Sequence, residues 1–233
     1  MINVLLALAG LALSIPASTR AVEGVAPNGP VSTSPEDAVA GAELPRSEAT
    51  ARVADWVAAS GDNNALPYAI VDKQAASLFL FSAKGKPLGK VPVLIGVAVG
   101  DDATPGIGSK NLAQIGPAEK TTPAGRFLAR FGLAAGKQKV LWVDYATSVA
   151  LHPIPPGASK KERRPQRMLS ATPDDNRITF GCINVPSAFY SKSVRPLFQR
   201  KGGYVYVLPD TKPIEDVFPR LRVQALANAG TAG

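Results

Sequence analysis

From Tyr68 onward the apolar positions fall in short runs with no three-to-four-residue spacing. Residues 68–72 (YAIVD), 77–81 (SLFLF), 90–99 (KVPVLIGVAV), 126–131 (RFLARF) and 139–145 (KVLWVDY) are rich in β-branched and aromatic side chains. Turn chemistry such as Ala83-Lys84-Gly85-Lys86 separates them. Runs of this kind predict strands. The stretch 77–96 reads as a hairpin around a Gly-containing loop. Strands that follow one another without helical patterns between them predict a mainly β domain, antiparallel for the most part and sandwich- or barrel-like, with a few short helices. Ser187 is placed to cap a helix running through Tyr190, which Pro196 interrupts or restarts and Gly202-Gly203 stop. A last strand follows over Tyr204–Leu208. Residues 214–218 (IEDVF) then read as a short helical piece before a tail of small residues.

The first sixty residues have a different texture. Val4–Leu13 (VLLALAGLAL) is apolar, too short to span a bilayer, and suited to the core of a signal peptide, with cleavage at Ala17 or Ala21. A buried N-terminal helix and an uncleaved anchor are the alternatives. From Ala17 to Pro45 the chain is rich in Ala, Pro, Ser, Gly and Val without periodicity and reads as a linker. Within the segment that follows, Ser47–Ala59 predicts a short helix capped by Ser47, with Val53, Trp56 and Val57 on one face.

Composition changes this picture at two points. The chain has 233 residues, 45% of them hydrophobic, with a net charge of +8, one Cys and one His. That is enough apolar content for a packed core and too much for general disorder. A single Cys excludes an intrachain disulfide framework, and one Cys with one His excludes a Cys/His zinc site. The charge is also uneven. Residues 22–64 hold two basic and seven acidic side chains, a net of −5, whereas the chain from Ala65 onward carries +12. A basic body behind an acidic leader is drawn to polyanions, whether nucleic acid, anionic lipid or an acidic wall polymer.

If the chain is an enzyme using Cys or His, Cys182 and His152 are the candidates. A lone Cys is also commonly a small buried hydrophobe, and a lone His a core or surface residue. Gly181 before Cys182 and a helix-initiating segment after it predict backbone N–H groups near the sulfur. Such groups lower a thiol pKa from about 8.5 and form oxyanion holes.

Three stretches sharpen this: Thr121-Thr122-Pro123-Ala124-Gly125-Arg126-Phe127, Leu151-His152-Pro153 and Thr179-Phe180-Gly181-Cys182-Ile183-Asn184. In order and context they resemble the L,D-transpeptidase (YkuD-type) catalytic domain, whose pattern is a TPxGxF stretch, a His, and [S/T]HGC followed by a hydrophobic residue and Asn or Arg. The resemblance covers about Tyr68 to Leu208. Together with the readings above, it divides the chain into a signal peptide over 1–21, a flexible acidic linker with a short helix over 22–64, an L,D-transpeptidase-like domain over 65–211 and an extension over 212–233.

The resemblance further implies an exported, periplasmic or wall-facing enzyme acting on peptidoglycan stem peptides and open to acylation by carbapenem-type inhibitors. It implies no metal and no cofactor. Cys182 is then the nucleophile and His152 its base, oriented by the Pro153 carbonyl. Backbone N–H groups around Gly181 and Cys182 form the oxyanion hole, Thr179 and Phe180 line the turn, and Asn184 braces it. Thr122–Phe127 builds the sheet beside the site.

The chain departs from the pattern twice. Phe180 stands where the family has His, and the stretch between His152 and Thr179 is longer than usual. That stretch holds residues 160–167 (KKERRPQR), a net of +4. It reads either as a solvated loop or as a rim attracting carboxylates of the stem peptide. It has no interleaved aromatics, which argues against nucleic acid, and no integral membrane span is expected after processing. A hydrolase on the same site and a non-catalytic wall-binding module are the rival readings.

Overall fold

The computed structural model describes residues 45–134 and 137–222. The signal-peptide segment over 1–21, the first half of the linker and the small-residue tail lie outside the described residues. Among the described residues, eight strands form one sheet in the order β3-β2-β1-β10-β5-β6-β7-β9, beside a two-stranded β4-β8 ladder. In chain order the strands are β1 (Tyr68–Asp72), β2 (Ser77–Phe81), β3 (Pro87–Pro92), β4 (Ile95–Gly96), β5 (Gly125–Leu133), β6 (Lys139–Asp144), β7 (Val149–Pro153), β8 (Arg177–Thr179), β9 (Ile183–Val185) and β10 (Gly203–Val207). Leu94, just past β3, exchanges two backbone hydrogen bonds of 3.0 and 2.8 Å with Asn184 of β9. The sheet therefore returns on itself, and the expected mainly β, barrel-like architecture with short helices is what forms.

The hairpin β2–β3 turns where expected, with Gly85 at φ +76 closing the loop. The sheet is mixed. β1 pairs parallel with β10, and β7 parallel with β9, because long crossovers separate the partners in sequence.

Alternation along the strands divides the apolar residues into two clusters. Ala69, Val71, Leu78, Leu80, Leu141, Leu151, Ile183 and Val205 fill the interior. Tyr68, Ile70, Phe79, Phe81, Tyr204 and Tyr206 face the other way, where helix α1 (Glu48–Ser60) covers them with Val53, Trp56 and Val57. Ser47 caps α1 by accepting from the Thr50 N–H, and Gly61 ends it at φ +67. The helix expected inside the linker is thus packed on the sheet: its apolar face has a wall of aromatic side chains to bury against.

Two further helical details differ from expectation. Pro186, not Ser187, is the cap of the helical run over 187–198, and a π turn occupies Tyr190–Val194. Pro196 carries no N–H to continue the ladder, so the run loosens just before it. No helix among the described residues is long and apolar enough to cross a membrane.

Candidate active site

The site follows from the register of β7 on β9. Leu151 pairs with Ile183 and His152 with Asn184. Leu151 and Ile183 point into the interior, so His152 and Asn184 lie on the opposite face. Cys182 immediately precedes β9, so the register brings it alongside Ala150, two residues before His152 on β7. Its sulfur lies 3.7 Å from the Ser148 carbonyl and hydrogen-bonds with the Ala150 backbone. Sheet pairing thus sets the segment bearing Cys182 against the strand bearing His152, 30 positions earlier in the chain.

The turn bearing Cys182 is held from several sides. Thr179 Oγ1 donates to the Cys182 carbonyl at 2.6 Å and accepts from the Gly181 N–H at 3.1 Å. Gly181 sits at φ +121, and a Cβ there would lie 2.6 Å from the Thr121 carbonyl oxygen. Only glycine fits. Thr122 Oγ1 donates to the Gly181 carbonyl at 2.8 Å and accepts from the Gly96 N–H at 2.9 Å. Because a trans peptide points its N–H opposite its carbonyl, Thr122 aims the Cys182 N–H away from itself. That N–H has no hydrogen-bond partner among the described residues. The expected oxyanion donors therefore separate: Gly181 N–H is engaged by Thr179, and Cys182 N–H is available.

Behind Thr122 stands a buried ion cluster. The Lys73 ammonium, fully enclosed, bonds the Thr122 carbonyl at 3.0 Å and pairs with Asp101 at 2.9 Å and Asp210 at 3.2 Å. Arg177, opening β8, reaches Asp210 at 2.7 Å. Burial alone would raise the Asp101 carboxyl. Hydrogen bonds from the Asp210, Lys212 and Thr211 backbone and from Lys73 instead hold it far below the usual carboxylate range.

His152 Nδ1 lies 2.7 Å from the Pro153 carbonyl oxygen. A carbonyl only accepts, so Nδ1 carries the ring proton and Nε2 keeps its lone pair. Asn184 Nδ2 lies 3.5 Å from both ring nitrogens, at the outer limit of hydrogen-bond distance. Asn184 Oδ1 accepts from Arg164 Nη1 at 2.8 Å, and Arg164 Nε donates to Glu162 at 2.7 Å. Arg164 opens helix α2 (Arg164–Met168), so the basic stretch over 160–167 is not wholly a solvated loop: one of its cations enters the site.

The thiol runs against expectation. Burial pushes the Cys182 pKa up, and a hydrogen bond with the Ala150 backbone and the Arg164 charge only partly oppose it. Cys182 is followed by strand β9 rather than a helix, so no helix N-terminus faces the sulfur, whose nearest acceptor is the Ser148 carbonyl at 3.7 Å. Burial likewise lowers His152, against the Pro153 hydrogen bond and helped by Arg164. Both groups rest neutral.

Phe180 is 40% exposed and turned outward, with the Lys120 ammonium 3.8 Å from its ring centroid. Thr122, Lys73 and Arg164 are the site residues that sequence reasoning did not single out. Thr122 had a signal in its TPxGxF stretch and Arg164 in the basic run, whereas Lys73 had none.

No protein-family model matches this chain, and no curated protein matches it. Solved structures do. The catalytic domain of an L,D-transpeptidase from E. faecium shares 16% identity over 61% of this chain and 96% of its own, with a TM-score of 0.34. An L,D-transpeptidase from Xylanimonas cellulosilytica shares 14% over 61% and 60%, TM-score 0.36. The helical cell shape determining protein Pgp2 from Campylobacter jejuni shares 14% over 68% and 56%, TM-score 0.41. The chain thus spans under two thirds of the latter two.

Proposed function

We propose that this chain is an exported cysteine acyltransferase that acts on peptidoglycan stem peptides and forms 3→3 cross-links through a thioester on Cys182. The observation that supports this reading is the β7–β9 register, which pairs His152 with Asn184, two residues after Cys182, while His152 Nδ1 is held by the Pro153 carbonyl. The motif resemblance supplies the substrate class.

In the first step Cys182 Sγ attacks the carbonyl at the L-centre of the diamino acid in a donor tetrapeptide. The thiol proton passes to His152 Nε2 as the S–C bond forms, since both groups rest neutral. The oxyanion takes the Cys182 N–H. The C–N bond then breaks, and the leaving D-Ala amine takes the proton from His152. In the second step the side-chain amine of an acceptor stem attacks the thioester. Its proton returns through His152 to the sulfur as the C–S bond breaks, restoring the thiol.

Incubation of purified stems with wild type and Cys182→Ala tests this. Dimers made by wild type and abolished in the variant are expected, a fall of at least about 10³-fold for loss of a nucleophile. Tripeptides without dimers would assign a hydrolase on the same residues. Equal wall binding by both proteins with no turnover by either would assign a binding module and overturn the enzyme reading.

A further inference from the structure

The segment over 154–176 carries most of the basic excess between the two candidate residues, yet its cations differ in placement. Arg167 bonds the Asp175 carbonyl at the surface. Lys160, Lys161 and Arg163 make no side-chain bond among the described residues and lie along the rim. Arg164 alone turns inward, with 12% of its side chain exposed.

A guanidinium offers five N–H donors in a planar fork. Arg164 uses Nε–H on Glu162 and one Nη1–H on Asn184. No other bond from it occurs among the described residues, which leaves the second Nη1–H and both Nη2–H hydrogens. No Arg164 nitrogen is among the buried side-chain atoms that lack a partner, so this free edge is open to solvent and to a ligand. Its one ionic partner, Glu162, is attached from the outer side and is 35% exposed. The charge is also close enough to act on both Cys182 and His152. A free, planar, cationic donor edge beside a nucleophile is the arrangement that recognises a carboxylate bidentately.

We infer that Arg164 forms a carboxylate-binding subsite beside Cys182 that reads the C-terminal carboxylate of the residue leaving the scissile bond. This rests on the acyl-transfer reading for the identity of the substrate, though not for the existence of the subsite. In a tetrapeptide donor the leaving group is a single amino acid. Its carboxylate follows the scissile carbonyl by one residue, about 3.8 Å of chain. Arg164 therefore selects donors that end one residue past the attacked bond, and the remaining bases at the rim contribute only general attraction.

Two arms test this. The first needs no stem peptide: Cys182 is alkylated with iodoacetate and, separately, with the near-isosteric neutral iodoacetamide. Both reagents require the same thiolate, so their rate ratio cancels any change in thiol pKa or in the fold around it. Wild type is expected to favour iodoacetate at least about tenfold relative to free cysteine, the scale of one charge-assisted hydrogen bond. Arg164→Gln is expected to return the ratio to that of free cysteine, Arg164→Lys to hold part of it, and Glu162→Gln, which removes the competing carboxylate, to raise it. In the second arm, tetrapeptide stems are compared with their C-terminal amides. Wild type should lose about 10–100-fold in kcat/KM on the amide, and Arg164→Gln should treat the two alike.

A ratio unchanged in Arg164→Gln overturns the subsite whatever the stems do. An altered ratio with no stem turned over leaves the subsite and overturns the proposed function. An altered ratio with equal wild-type rates on acid and amide assigns the subsite to another carboxylate of the substrate and overturns the terminal-residue assignment.

Discussion

In β1 and β10 every residue is buried, on one face against the interior and on the other beneath α1. In β7 and β9 the interior face is equally apolar, but the other carries His152 and Asn184, and what reaches it is Arg164 from the short basic helix α2 rather than the apolar face of a long helix. The first wall is held by area. Trp56 meets Tyr206 edge-on at 6.0 Å and Phe218 at 6.2 Å, and Tyr68 stacks on Phe81 at 4.7 Å. The second is held by directional bonds from Thr179, Thr122 and Lys73 to individual carbonyl and N–H groups. Apolar contact tolerates small displacements of its partners. A hydrogen bond aimed at one atom does not, and reactive geometry needs the second kind.

Breaking the first wall should give the largest change in stability. Trp56, 4% exposed, is expected to cost about 3–5 kcal/mol when cut to Ala, read as a lowered denaturant midpoint. At temperatures where the variant is still folded, the iodoacetate-to-iodoacetamide ratio at Cys182 should match wild type. A ratio that falls with stability would mean that the two walls are not separable.

Thr122→Val tests the second wall. The substitution keeps the shape and removes the hydroxyl, which leaves the Gly181 carbonyl and the Gly96 N–H without their partner. The expected loss of stability is about 1–3 kcal/mol, the cost of unmatched buried polar groups. Turnover should fall by about 10–100-fold, short of the roughly 10²–10³ seen when an oxyanion donor is removed outright. Thr122→Ser keeps the donor and acceptor and should restore turnover. The same stability loss with unchanged turnover would make Thr122 a packing residue only.

The two walls were also unequally legible in the sequence. β1, β2 and β10 announce themselves because strands buried on both faces read as unbroken β-branched and aromatic runs, and α1 because Ser47 and the Val53-Trp56-Val57 spacing mark a capped, one-sided helix. Cys182 and His152 were legible through short motifs whose order survives in the chain. The bracing was not. Lys73 is a single cation just past a strand end whose partners lie from 27 to 137 residues away, and no local pattern encodes that meeting. Among the five bases over 160–167, only the fold decides that Arg164 is the one to reach Asn184. The thiol was misread for a related reason. Gly181-Cys182 with Pro186-Ser187 four residues on looks like a helix entry, but pairing with β7 draws Ile183–Val185 into a strand first, so burial rather than a helix dipole sets the sulfur's environment.

The smallest expected effect separates the walls by pH. Burial carries His152 below its ordinary 6.5 and Cys182 above its ordinary 9.0, while Arg164 lowers both. Across neutral pH the pair is thiol and imidazole, not thiolate and imidazolium. Turnover should then be full near neutrality and fall on the acid side only below pH 6.5, where His152 binds a proton and can no longer accept one. Alkylation by iodoacetamide, which needs thiolate already formed, should keep climbing beyond pH 9.0 instead of levelling. Arg164→Gln removes a charge that lowers both groups, so both limbs should move to higher pH. Trp56→Ala, acting on the opposite wall, should leave both where they are. An alkylation rate already level across neutral pH would make the ion pair the resting state and remove the distinction drawn between burial and dipole at this sulfur.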